Sequence, residues 1–226
     1  MNRFRFAYLH AGPHGVLAAF HIPDSPDPVP PDVLERLPKA EAELARTLKG
    51  YRQGQFVGGR LALRRACEQL GEQPAQILST PRGAPDLGDR LVGSVSHKRT
   101  LAVGMVAKPS LGTLGVDLEE YAPARPTIEE HILRPEEREE LLSLDEDRRW
   151  IDLLMRFSIK ESIYKALDPY VGRYVGFHEA RVRPDLQGGA VVDLFLAQGE
   201  GPFIVDARYA WLHGRLVTSV RIQPPP

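Results

Sequence analysis

The spacing of hydrophobic and polar positions changes several times along the chain. Residues 3–9 and 15–22, RFRFAYL and GVLAAFHI, have the character of short strands. The next stretch, PDSPDPVPPD, carries five prolines and reads as a loop. Two helical segments follow. The first runs from Lys39 to Lys49 and is closed by Gly50; the second runs from about Gly54 to Leu70 and is closed by Gly71, with Phe56, Leu63, Cys67 and Leu70 near helical spacing. STPRGAPDLGD is again a loop, and LVGSVSH, TLAVGMVA and TLGVDLEEY are strand-like. The pattern then returns to helix. Thr127 and Glu130 form a T-x-x-E capping box, Pro135 takes a first-turn position, and a long helix runs from about Asp147 to Leu167. The chain finishes with strands at ARVRP, AVVDLFLA, FIVDARYAWL and RLVTSVRI, with a turn at His213-Gly214.

This order predicts an α+β protein in two halves, residues 1–110 and 111–226, joined near Pro109 to Gly115. No sequence repeat is strong enough to prove duplication. The length of 226 residues fits one large domain or two small ones, and either can bury a core. With 29 Lys and Arg against 30 Asp and Glu, the formal net charge is −1, so there is no global basic field and no nucleic-acid partner is expected. Cys67 is the only cysteine, which rules out an intramolecular disulfide and a cysteine metal cluster. The start lacks the apolar run of a signal peptide, and no segment approaches the roughly 18 apolar residues of a membrane span. The expectation is a cytoplasmic protein with no membrane partner.

Two segments carry candidate chemistry. In Thr113-Leu114-Gly115-Val116-Asp117-Leu118-Glu119, the apolar residues alternate with Asp117 and Glu119, which share one strand face. Two carboxylates side by side repel each other. A bound hard cation such as Mg²⁺ removes that penalty, and so does simple solvation. In the long helix, Arg149, Asp152, Arg156 and Lys160 fall in one sector, which reads as the solvent face. Trp150, Leu154, Phe157 and Tyr164 form a stripe on another side, which reads as the buried one, with Glu161 in its middle. Glu161 has Lys165 one turn on, so an i,i+4 ion pair and a functional site both fit. PEEREE, residues 135–140, reads as a solvated helix face, Arg64 and Arg65 as solvated, and Cys67 as core.

These segments resemble a known family. Gly115-Val116-Asp117-Leu118-Glu119 is similar to the G-x-D-x-E motif of 4′-phosphopantetheinyl transferases. Phe157-Ser158-Ile159-Lys160-Glu161-Ser162-Ile163-Tyr164-Lys165 is similar to their [W/F]-[S/C/T]-x-K-E-x-x-x-K motif, in the same order and about 40 residues on. Arg82-Gly83-Ala84-Pro85 resembles the upstream G-K-P or G-x-P loop, and Ser94-Val95-Ser96-His97 the N/S-x-S-H strand end. Phe56-Val57-Gly58-Gly59-Arg60 resembles the F-x-x-G-R of the enterobactin-synthetase-activating branch. The resemblance spans roughly residues 50 to 165.

It implies transfer of the phosphopantetheine arm of coenzyme A to a serine of an acyl or peptidyl carrier protein, releasing adenosine 3′,5′-bisphosphate. It also implies a monomer of two similar α+β halves in a pseudo-twofold arrangement, with the active site in the cleft between them. By resemblance, Asp117, Glu119 and Glu161 hold Mg²⁺, and Lys165 contacts the pyrophosphate. Glu161, or a water it holds, is the candidate base. Coenzyme A is then contacted by Arg52, Arg60, Arg82, Gly83, Pro85, Ser96, His97 and Lys165, the arginines serving the 3′-phosphate and adenine end. Rival readings are a non-catalytic homologue that binds coenzyme A or a carrier, and a Mg²⁺-dependent nuclease. The nuclease is disfavoured because Glu161 and Lys165 lie four apart on a helix.

Overall fold

A computed structural model of the protein describes residues 4–121 and 128–225. The chain divides into two compact units, one ending at Ser110 and one beginning at Leu111. The predicted Thr127–Glu130 capping box lies partly outside the described residues.

In the first unit, β1 (Arg5–Gly12) and β2 (Gly15–His21) form a hairpin, followed by α1 (Pro31–Leu34), α2 (Lys39–Thr47) and α3 (Tyr51–Gln69). A two-residue pairing of β3 (Leu78–Ser79) with β4 (Pro85–Asp86) comes next, then the hairpin of β5 (Val92–Lys98) and β6 (Leu101–Ala107). The sheet order is β1-β2-β6-β5, antiparallel throughout. Helix α3 packs across one sheet face. It lies so close that a Cβ on Gly59 would stand 2.7 Å from Val95 Cγ2 of β5. The glycine of the F-x-x-G-R segment is therefore a packing requirement.

The second unit starts with β7 (Thr113–Glu120), then α4 (Glu129–Ile132), α5 (Pro135–Leu142), α6 (Glu146–Val171), β8 (Ala180–Pro184), β9 (Gly189–Leu194), β10 (Ile204–Leu212) and β11 (Arg215–Gln223). The sheet order is β7-β11-β10-β9-β8, again antiparallel. The turn at His213 (φ 51°) and Gly214 (φ 77°) has positive φ at both positions, the geometry a two-residue hairpin favours.

Helix α6 runs along β7 in a regular register. Thr113 Oγ1 donates to Ala166 O at 2.6 Å. A Cβ on Gly115 would lie 1.9 Å from Ser162 O. Ser158 Oγ donates to Asp117 Oδ2 at 2.8 Å. Each two-residue step up the strand matches one turn back along the helix. Only a glycine at 115 lets the helix backbone come this near.

The face of α6 expected to be solvated is instead covered. Lys160 and Arg156 are only 3% and 5% exposed. Lys160 Nζ donates to Ile132 O at 2.8 Å and to Glu137 Oε2 at 2.5 Å, and Arg156 donates to Asp152 and Glu140. Glu137 is fully buried, so PEEREE is not a plain solvated face. Its carboxylate also accepts from Arg134 N and Val182 N, which ties α5 to the free edge of β8. The stripe with Trp150, Phe157 and Tyr164 is the more exposed side, and Glu161 is half-buried there. Arg64 is likewise not solvated. It forms a bidentate pair with Glu41, which has no solvent exposure.

Gly115→Ala is expected to destabilise the protein by about 3 kcal/mol through overpacking, read as a lower denaturant midpoint. A second expectation concerns acid. Arg173 bonds Glu179 and Glu200 together, and these bonds hold both carboxyls well below the ordinary 4.5, at about 2. A depressed folded pKa stabilises above the unfolded value, and that contribution is lost as pH falls. The stability difference between wild type and Arg173→Gln should therefore narrow from pH 4.5 toward about 2. A difference that persists at the acid end would count against the clamp.

Candidate active site

The carboxylates of β7 are buried. Asp117 and Glu119 are 5% and 7% exposed and share the strand face that looks toward α6. Lys165 Nζ donates to Asp117 Oδ1 at 2.9 Å and to Val116 O at 2.8 Å. Ser158 holds the other Asp117 oxygen. Two buried carboxylates need compensating positive charge, and the Lys165 ammonium supplies one unit of it.

Glu161 lies on the same helix, about 60° round from Ser158 and about 40° from Lys165. Its Cβ tilts toward the helix N-terminus, which is the Asp117 end of the strand register. Glu161 thus sits beside the Ser158–Lys165 line that faces Asp117. Among the described residues, no three acidic or imidazole side chains gather into a ready-made metal site. The donor set still suits Mg²⁺, which characteristically uses one or two carboxylates and completes its shell with water and substrate phosphate. Asp117 and Glu119 are oxygen donors on one buried face, and Asp117 is already paired with the Lys165 ammonium.

The first unit has a cavity of about 380 Å³. Its lining includes four of the sequence-predicted residues: Arg52, Arg60, Gly83 and His97. Leu44, Leu48, Phe56 and Val95 form its apolar part, and no carboxylate lines it. The cavity therefore suits an anionic ligand with a flat apolar portion. Ser96 is on the opposite face of β5 from Val95 and His97, by the alternation of the strand. Arg82 is exposed in the turn before Gly83, and Pro85 begins β4; neither lines the cavity.

Arg60 has a second role that its position in a helix did not reveal. Its Nε donates to Ile77 O at 2.6 Å, and Nη2 donates to Leu78 O at 3.0 Å and Ser79 Oγ at 2.9 Å. The guanidinium lies over the Phe56 ring, 4.4 Å from its centroid. Burial pulls its pKa down to about 10, against the opposing pull of Glu41, so it stays charged at neutral pH. Glu41 accepts from Ile77 N at 2.5 Å. Arg60 and Glu41 together fix the strand that supplies Ser79 to the cavity wall.

Comparison with known proteins places these two regions in one family. Residues 40–107 match the 4′-phosphopantetheinyl transferase N-terminal domain, and residues 113–215 match the 4′-phosphopantetheinyl transferase superfamily. The 4′-phosphopantetheinyl transferase Svp of Streptomyces mobaraensis is 32% identical over 199 residues, covering 83% of this chain and 79% of that one. The chain belongs to the 4′-phosphopantetheinyl transferase superfamily. PptT of Mycobacterium tuberculosis, named for the same activity, is 30% identical over 201 residues, 84% of this chain and 87% of that one. Among solved structures, the holo-[acyl-carrier-protein] synthase of Thermotoga maritima matches at 22% identity and a TM-score of 0.39, over 50% of this chain and 63% of that one.

Two features of this transferase escaped the sequence reading. Ser158 was visible only as a motif position, and its bond to Asp117 was not. Thr218 was missed entirely, although a signal existed. In Leu216-x-Thr218-x-Val220-x-Ile222 it occupies a core-facing position in an otherwise apolar alternation, and a polar group there needs a partner.

Arg60→Lys should destabilise the protein by about 2 kcal/mol, because an ammonium cannot reproduce the fork that holds residues 77–79. Arg52→Ala, at an exposed position in the first turn of α3, should stay within about 0.5 kcal/mol of wild type in the same denaturation assay.

Proposed function

We propose that this transferase moves the 4′-phosphopantetheine arm of coenzyme A to a serine of an acyl or peptidyl carrier protein, with Mg²⁺, releasing adenosine 3′,5′-bisphosphate. The observation that carries the reading is the Asp117–Lys165 bond, which joins the G-x-D-x-E strand to the K-E-x-x-x-K helix. Those two segments hold the groups that such a transfer needs.

The reaction is a displacement at phosphorus. The carrier serine oxygen forms a bond to the phosphorus that bears the pantetheine arm, and the bond from that phosphorus to the adenosine bisphosphate oxygen breaks. Little covalent work falls to the protein; positioning and charge stabilisation dominate. Asp117, Glu119 and Glu161 would hold Mg²⁺ in this reading, and its positive charge would offset the negative charge of the pyrophosphate. Lys165, anchored through Val116 O, presents a fixed ammonium to the phosphate oxygens. Glu161, or a water it holds, takes the serine proton.

The cavity of the first unit takes the nucleotide end. Arg52 and His97 meet its phosphate, with the Nη1 edge of Arg60, while Phe56, Leu44 and Leu48 face the base. Arg82, Gly83, Pro85 and Ser96 complete the contacts by family resemblance. The F-x-x-G-R segment favours a siderophore-type carrier among the fatty-acid, polyketide and non-ribosomal peptide alternatives. The protein acts in the cytoplasm as a monomer in this reading. No helix among the described residues is long and apolar enough to cross a membrane.

The test is mass spectrometry of apo-carriers incubated with coenzyme A and Mg²⁺, with nucleotide products followed in parallel. Wild type should add a single phosphopantetheine per carrier and release the bisphosphate. Asp117→Asn and Glu161→Gln should each lower the rate by about 100-fold or more while the protein stays folded. Full activity in either variant overturns the metal assignment, and plasmid nicking without arm transfer overturns the reading as a whole.

A further inference from the structure

Three buried hydroxyls meet beneath Asp117. Ser158 and Ser162 of α6 and Thr218 of β11 all have no solvent exposure. Thr218 is the cross-strand partner of Asp117. Ser158 Oγ lies 2.8 Å from Asp117 Oδ2 and 3.0 Å from Thr218 Oγ1; Thr218 Oγ1 lies 2.7 Å from Ser162 Oγ and 2.9 Å from Ser158 O.

An ionised carboxylate only accepts, so the Ser158 proton points at Asp117. Ser158 Oγ is then left to accept. Thr218 has a single proton and three acceptors within reach: Ser158 Oγ, Ser158 O and Ser162 Oγ. Ser162 has Thr218 Oγ1 at 2.7 Å and Thr218 O at 3.3 Å. The three hydroxyls therefore form one connected network that ends on Asp117 through Ser158, and bonds in such a network polarise one another.

We infer that Ser158 and Thr218 are positioning residues that hold Asp117 in the orientation from which it binds the metal. The inference rests on the Mg²⁺ reading given above. Lys165 holds one Asp117 oxygen and Ser158 the other, so rotating the carboxylate breaks at least one bond. Polar groups buried against apolar neighbours are costly unless bonded, and apolar residues of similar size would fill the same space. Three hydroxyls in one spot therefore point to a task, and the carboxylate they converge on is the one that faces Lys165. Outer partners of this kind orient metal ligands and raise their affinity.

The experiment measures Mn²⁺ binding by electron paramagnetic resonance in wild type, Ser158→Ala, Thr218→Val and Thr218→Ser, with the Mg²⁺ dependence of carrier modification in parallel. Ser158→Ala and Thr218→Val should weaken Mn²⁺ binding by about 10-fold, whereas Thr218→Ser, which keeps the hydroxyl, should bind as wild type does. The rate deficits of the two weakened variants should shrink as Mg²⁺ is raised. Wild-type affinity in Ser158→Ala overturns the inference. So does a Thr218→Ser variant as weak as Thr218→Val, which would make the effect one of packing. Ser158→Ala removes a single oxygen atom and decides the matter should Thr218→Val not fold. A wild type that binds no Mn²⁺ overturns the metal reading itself, and the inference with it.

Discussion

The second unit depends on how closely α6 approaches β7 at Gly115. Side chains normally keep a helix about 10 Å from a sheet, and a missing Cβ lets the backbones come nearer. Here Ser162 O occupies the space a Cβ would need. That contact sets the height of the helix over the strand. The bond from Thr113 to Ala166 on one side, and from Ser158 to Asp117 on the other, sets its slide along the strand. With height and slide both fixed, Lys165 reaches Asp117 with no further adjustment. The glycine of the G-x-D-x-E motif thus serves the aspartate two residues on.

Rotation of α6 about its own axis is fixed by another device. Glu137 is buried and accepts from two backbone N–H groups and from Lys160. The first unit repeats the idea with different partners: Glu41 is buried and accepts from Ile77 N and from Arg64. In both cases a glutamate on one helix captures a cation on the next and a peptide N–H, of β8 at Val182 and just before β3 at Ile77. Such pairs contribute little net stability, because desolvation offsets most of the Coulomb attraction. Removing one partner is far more harmful, since a buried charge is left alone. The effect is to select one arrangement of helix and strand. Lys160 and Glu161 are adjacent in sequence, so what anchors the first also aims the second.

This explains which parts of the molecule could be read from the sequence. Strand alternation and helical spacing are local, and they located every long element; α3 started at Tyr51, a turn earlier than expected, because Gly50 lies in a positive-φ conformation just before it. The two-residue pairing of β3 with β4 was read as loop, since Pro and Gly mask so short a strand. The motif residues were legible because their types and spacing carry the chemistry. The error came from charge. Charge alone predicts a solvated face for Arg156, Lys160 and PEEREE, yet Arg156, Lys160 and Glu137 are buried. Each set hides the other, but their pairing spans 23 residues of sequence between Glu137 and Lys160. Glu161 was singled out on the premise that its stripe was the buried one. The stripe is the more exposed side, and the motif, not the sector, was the sound reason to choose it.

The same distinction applies to the arginines of the first unit. Arg52 and Arg60 looked equivalent as cations on one helix. Arg52 is exposed and can move to a ligand; Arg60 is buried with two of its three nitrogens committed to residues 77–79. A guanidinium held this way can still offer its third nitrogen to an anion, and it does so from a fixed place. An anion that met such a group would not have to order it first. Lys165 and Asp117 follow the same logic, each held by a partner on the protein before any substrate is bound. Each candidate region therefore has one cation that the fold has already immobilised, Arg60 in the first unit and Lys165 in the second, and phosphoryl transfer is a reaction that rewards fixed charge over mobile charge.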